Sequence, residues 1–187
     1  MYACSRTNQT FIGLFLMAAM LATRFHHFGD ALHLPDASWA VFFIAGFYLA
    51  PGWLAALVLQ AVAIDAAAVG WMGVPAYCIT PAYAALLLAY ALLWAGGRWL
   101  RGRYREDLSG LRNFAAAALL AVSLAFVLSN TSFYWLGGRV AEPGMGQFVE
   151  QFLRYYPGYL GINALYLALA GLVHALASQR VLLRRKA

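Results

Sequence analysis

Residues 37–70 read ASWAVFFIAGFYLAPGWLAALVLQAVAIDAAAVG, and the way this stretch divides decides the fold. From Ala37 to Ile64 it carries no charge, and its one interruption is Pro51-Gly52. As one helix it would extend about 51 Å at 1.5 Å per residue, against a hydrocarbon core about 30 Å thick. Proline disfavours helix continuation and glycine permits a tight reversal. The stretch therefore reads as two short membrane helices, 37–50 and 51–70, joined by a turn at the membrane surface.

The rest of the chain has the same character. Of 187 residues, 64% are hydrophobic and 11% charged, whereas soluble domains are about 45–50% apolar and about 25% charged. That composition excludes both a water-soluble globule and a disordered tail. Four further apolar segments lie at approximately 7–25, 79–97, 113–136 and 157–178. The first lacks a small-x-small cleavage site and reads as a retained helix, not a signal peptide. The expectation is an all-α integral membrane protein, a six-transmembrane-helix bundle forming a single domain over 1–187.

The net charge is +6, from twelve Arg and the single Lys186 against seven acids. Arg6, the run Arg98, Arg101, Arg103, Arg105 and Arg112, and Arg180, Arg184, Arg185 and Lys186 fall on one side; Arg24, Arg139 and Arg154 fall on the other. By the positive-inside rule the first side is cytoplasmic, with both termini inside. Basic residues at segment ends do not form the continuous basic face of a nucleic-acid protein, so no nucleic-acid partner is expected. With its only lysine at 186 the chain has no GxxxxGK[ST] loop, so no bound nucleotide is expected and any ATPase must be a separate chain.

Polar residues inside a membrane usually face the bundle interior and mark a site or pathway. Here most of them are outer. Asp65 lies about 21 Å along an outward-running helix. The run Ser129-Asn130-Thr131-Ser132-Phe133-Tyr134 ends another, while Cys78, Thr80, Tyr83, Tyr159 and Asn163 begin inward-running ones. Gln60, Ser123 and His174 are exceptions. The long connections, Arg24 to Asp36 and Gly137 to Tyr156, are external, and long loops commonly carry binding residues. These features point to an outward-open pocket; the alternative is that the polar groups only tie helices together.

Cys4 and Cys78 lie on opposite faces in this topology, so no disulfide joins them. Cys78 sits in Trp71-Met-Gly-Val-Pro75-Ala-Tyr77-Cys78-Ile-Thr80-Pro81. At a helix N-terminus its thiolate would be favoured; otherwise it is a small buried hydrophobe. Zinc needs about four ligands, and His26, His27 and His33 show no metal-binding spacing. A metal caged in a macrocycle needs only one soft axial ligand, which makes corrinoids and haem the candidates. The CxxCH haem signature is absent.

Six short helices, the Ala18-to-Ala22 small-residue stripe, the external Arg24-Phe-His-His-Phe-Gly-Asp30 segment, the Leu34-Pro-Asp-Ala-Ser-Trp39 start of the second helix and the lone Tyr77-Cys78 carry a resemblance along essentially the whole chain. It resembles the BtuM-type proteins, the cobalamin-specific S-components of energy-coupling-factor (ECF) transporters. The resemblance implies a transporter subunit, not an enzyme, of the bacterial inner membrane. It further implies uptake of cobalamin (vitamin B12) from outside, with the cysteine matching Cys78 as axial cobalt ligand. S-components usually work with a coupling subunit and two ATPases, contacted here through Ala18 and Ala22, although BtuM-like proteins resemble solitary S-components.

Given that ligand, depth and chemistry assign Tyr77, Tyr83, Phe133 and Tyr134 to the corrin ring, and Asn130, Asn163 and Asp65 to its amides. Arg139 or Arg24 would face the phosphate. His26, His27, Asp30 and Asp36 are assigned to ordering their own loop. Thiolate attack on cyanocobalamin would assist cyanide removal. The alternatives are an S-component for another vitamin with Cys78 structural, a membrane thiol enzyme, which lacks a second outer cysteine, or a non-transport assembly subunit.

Overall fold

The computed structural model describes residues 5–24, 34–71 and 80–186, with side chains through 178. Six helices follow in order: α1 Arg6–Arg24, α2 Ser38–Tyr48, α3 Gly52–Trp71, α4 Ala82–Arg103, α5 Leu108–Leu136 and α6 Met145–Lys186. No strand occurs among the described residues. Four helices, α3, α4, α5 and α6, are long and apolar enough to cross a membrane. The bundle's exterior is itself apolar: Phe11, Phe15, Leu88, Leu120 and Val173 are all exposed. An apolar surface over long apolar helices is that of a multi-pass membrane protein.

The break at Pro51-Gly52 is where the sequence puts it. Leu49 is extended and its N–H donates to Ala45 O at 2.8 Å. Trp53 N–H then bonds Ala50 O at 3.0 Å to start α3. The N–H of Ala50, which the reversal would strand, donates to Gln9 Oε1 of α1 at 3.0 Å. An unpaired backbone N–H is costly in an apolar medium, so this side chain allows the corner.

Three helices outrun their expected limits. α4 continues from 97 to Arg103, because Leu100 is buried and Arg98 and Arg103 lie over the rings of Trp94 and Trp99. α5 starts at Leu108 instead of 113, since Asp107 caps it by accepting from Gly110 N–H at 2.9 Å. α6 begins twelve residues before 157 and carries Pro157 inside it. Its 42 residues extend about 63 Å, roughly twice the hydrocarbon thickness.

α2 is the opposite case. Its 11 residues cover about 16 Å, half a bilayer core. Nine of them are buried, from Ser38 to Phe47, and the helix touches all five others. Its contact with α4 is backbone on backbone. A Cβ added at Gly46 would run into the Trp94 carbonyl, and one at Gly97 into that of Phe43. Between them Phe42 stacks on Tyr90 with centroids 4.2 Å apart. Hydrophobic packing thus encloses a central helix that cannot span by itself.

The end where α3 begins and α4 finishes carries Arg98, Arg101, Arg103, Arg105 and Arg112, and is called the arginine-rich end. α2 occupies only the half of the bundle nearer that end. The opposite half, the far end, is left to the other helices.

Candidate functional site

At the level where α2 starts, the bundle holds a buried charge network. Arg24, the last residue of α1, has 9% of its side-chain surface exposed. Its Nε and Nη2 donate to the two oxygens of Asp65 on α3 at 2.7 and 2.6 Å. Nη1 donates to Tyr90 Oη of α4 at 2.7 Å and Ser38 Oγ of α2 at 3.1 Å, with Asp36 Oδ2 at 3.5 Å. Asp36 in turn accepts from Ser38 N–H at 2.9 Å and from the Ser38 hydroxyl. Tyr83, two turns before Tyr90 on the same face of α4, donates to Asp65 Oδ2 at 2.7 Å.

This network ties four helices together at one depth. Counting 1.5 Å per residue from the arginine-rich end, Arg24 is about 22 Å from Gln9, Asp65 about 21 Å from Pro51 and Tyr90 about 20 Å from Arg103. Bidentate guanidinium–carboxylate pairing fixes geometry as well as charge. The cluster forms a floor beneath the far half of the bundle. Thr23 reinforces it, its hydroxyl donating to Ala19 O at 2.8 Å and accepting from Ala37 N–H at 3.1 Å.

Around and above the floor, several buried oxygens find no hydrogen-bond partner among the described residues. They are Thr80 Oγ1 before α4, Asn130 Oδ1 near the end of α5 and Asn163 Oδ1 on α6. Asn163 is 2% exposed, and its Nδ2 donates to Tyr159 O at 2.9 Å. The ring of Tyr159 lies 5.1 Å from Trp39 and 5.2 Å from Phe126. A buried acceptor without a donor carries its desolvation cost uncompensated. Gln60 Oε1 is a further such atom, on α3, while its Nε2 bonds Met17 O.

The expected site residues thus separate into groups. Asp65 and Tyr83 meet directly, with Arg24 engaged by the same carboxylate. Tyr134 is buried, exchanging hydrogen bonds with Gly144 O and N–H at 2.8 and 3.0 Å, which pins the start of α6 to the end of α5. Phe133 is half-buried beside it and Arg139 is exposed beyond. Tyr77 and Cys78 lie outside the described residues, as do His26, His27, Asp30 and His33. Among the described residues no group of three or more His, Cys, Asp or Glu could hold a bare metal ion.

Sequence reasoning passed over Tyr90 and Ser38. The available signal was the spacing of Tyr83 and Tyr90, seven residues apart and hence on one helical face. It also passed over a cavity of about 660 Å³ at the arginine-rich end, lined by Phe43, Phe47, Tyr104, Phe114 and His174 among others. There His174 Nδ1 and the Tyr48 hydroxyl are 2.6 Å apart. Burial and the charge of Glu106 hold the Tyr104 phenol above its ordinary pKa, so it stays neutral. Among known proteins, no family model matches the chain, and no curated protein matches it.

Proposed function

We propose that this chain is the cobalamin-binding S-component of an ECF-type transporter in a bacterial cytoplasmic membrane. All six helices belong to the membrane domain, α2 as an enclosed half-span, and both termini are cytoplasmic. The excess of Arg and Lys at one end supports that orientation. The likeness to BtuM-type proteins supports the ligand. Ala18 and Ala22 lie on the exposed face of α1 with Phe11 and Phe15, which suits contact with a coupling subunit.

The observation that carries the reading is the architecture of the far half. α2 starts at the charged floor, and among the described residues the buried oxygens of Thr80, Asn130 and Asn163 find no donor. Cobalamin presents amide N–H groups around an apolar ring, and so offers donors to such acceptors. A binding site of this kind mixes apolar walls with a few orienting polar groups. Arg24 donates to the Asp65 carboxylate, and the phosphate is assigned to Arg139. Asp65 and Tyr83 hold the floor and reach the ligand through their remaining lone pairs and ring face.

Cys78 closes the site as cobalt ligand. With cyanocobalamin, a sulfur lone pair forms the Co–S bond as the Co–C bond breaks, and cyanide leaves with its electron pair. No change in oxidation state is needed. Purified protein mixed with cyanocobalamin is expected to bind it and to shift its visible spectrum, and Cys78→Ala should abolish the shift. Binding of riboflavin, thiamin or biotin in preference to cobalamin would reject the assignment. Tight cobalamin binding with an unchanged spectrum would reject cobalt ligation alone.

A further inference from the structure

We propose that the cavity at the arginine-rich end is a binding site for one acyl chain of a membrane lipid, held for its hydrocarbon and without regard to head group. It is separate from the floor at Arg24, and its test does not depend on cobalamin. The cavity holds about 660 Å³, within the range of about 300–1,000 Å³ typical of ligand sites. It exists because α6 contributes small residues, Ala168, Gly171 and Ala175, to the wall opposite Phe43, Phe47 and Phe114. A Cβ at Gly171 would find its nearest atom, on the Phe114 ring, only at 3.9 Å. α6 is the least buried of the four long apolar helices, and here it leaves a gap against its neighbours.

The occupant follows from the mouth, the length and the walls. Leu111 and Leu172 line the cavity yet are 61% and 57% exposed, so its mouth opens between α5 and α6 onto the apolar exterior that includes Val173. The opening is thus continuous with the lipid-facing surface, and the molecule that reaches it is a bilayer lipid. From Ala168 to Ser178 the cavity follows α6 for ten residues. That is about 15 Å, half of a hydrocarbon core about 30 Å thick and hence the depth of one leaflet. The walls are mostly aromatic and aliphatic, and the Tyr48 hydroxyl and His174 Nδ1 bond each other at 2.6 Å. Apolar cavities stay dry and accept apolar guests, and a gap in a packed bundle forfeits dispersion contacts that a guest restores. Among the described residues the charged groups on the lining are one arginine, Arg105, and two acids, Glu106 and Asp107, with Arg105 Nε 3.3 Å from Asp107 Oδ2. Such a rim gives an anionic head group no net attraction, so the chain is what is held.

The test is native mass spectrometry of the full chain in mild detergent, supplied in turn with phosphatidylcholine, phosphatidylglycerol of identical acyl chains, and glycerophosphocholine, which has a head group and no chain. The two lipids should be retained to the same extent and glycerophosphocholine not at all. Gly171→Leu and Ala175→Phe, which fill the cavity, should remove the retained lipid. Failure to retain either lipid, retention of phosphatidylglycerol in clear excess, or undiminished retention in a cavity-filled variant of wild-type helicity would overturn the proposal. Should the filled variants not fold, two photoactivatable phosphatidylcholines decide on the wild-type protein, one reactive at the end of an acyl chain and the other near the glycerol. The first should label within 43–47 or 168–171, at the deep end, and the second within 104–111 or 175–178, at the rim. Labelling confined to other residues, or without this order in depth, overturns the site.

Discussion

Removing both members of the Arg24–Asp65 pair should cost clearly less than the sum of the losses from removing each one alone. Arg24→Met leaves Asp65 without the two charge-assisted bonds at 2.6 and 2.7 Å, and leaves Tyr90 and Ser38 without their donor. Breaking a buried ion pair from one side costs about 3–5 kcal/mol. The Asp65 side chain is 21% exposed, which favours the lower end, about 3 kcal/mol. Asp65→Leu strands Arg24 in the same way, with Asp36 at 3.5 Å its nearest remaining charge. For a chain of this size about 3 kcal/mol corresponds to a melting shift of about 6–12 °C. In the double variant neither charge is left unpaired, so its loss should fall below the sum of the single losses by about 2 kcal/mol or more. Melting of the four proteins in one detergent, with exposed Arg112→Gln as a control within about 0.5 kcal/mol, measures the cycle. Additive losses would refute the network as a coupled floor.

Other expectations follow from local features. Gly97→Ala places a methyl against the Phe43 carbonyl, and because the obstacle is backbone the helices must part; a loss of about 1–3 kcal/mol or more is expected in the same melting assay. At the start of α5, the Ser109 hydroxyl and then the Gly110 N–H hold the Asp107 carboxyl below the usual carboxylate range. A folded-state pKa below the unfolded one means the cap's contribution is full above the unfolded pKa and disappears as pH falls through the folded one. Amide exchange of Gly110 should therefore quicken, relative to intrinsic rates, as the pH drops below about 4, and Asp107→Asn should flatten that dependence.

The turn at Pro51-Gly52 was legible because proline and glycine act locally. The start of α2 was legible to within a residue, Ser38 against 37, and its end at Tyr48 comes two residues before the expected 50 because Leu49 is already extended ahead of Pro51. Asp65 could be placed at its depth by counting residues from Pro51. Its partner could not, since Arg24 stands at the end of a helix beside a polar segment and reads as an external charge until the fold turns it inward. The helical reach of α4 through Arg98 and Arg103 was hidden by their charge, although arginine is a good helix former. The start of α6 was hidden by Pro157, which usually ends a helix but here lies inside one. The donorless oxygens of Asn130 and Asn163 are properties of packing, and no residue pattern announces them.

The brevity of α2 also constrains biogenesis. An eleven-residue segment leaving the translocon has too little greasy length to hold a transbilayer position unaided. It must be handed over together with α3 as a helical hairpin, sharing its neighbour's grip on the lipid. Its final seat awaits α6, because Tyr48 pairs with His174 and Tyr166 holds Pro35 O at 2.6 Å. The innermost helix of the bundle is thus among the first made and among the last to settle, and ribosomes stalled before residue 166 should leave it open to solvent-borne alkylating reagents at an engineered cysteine.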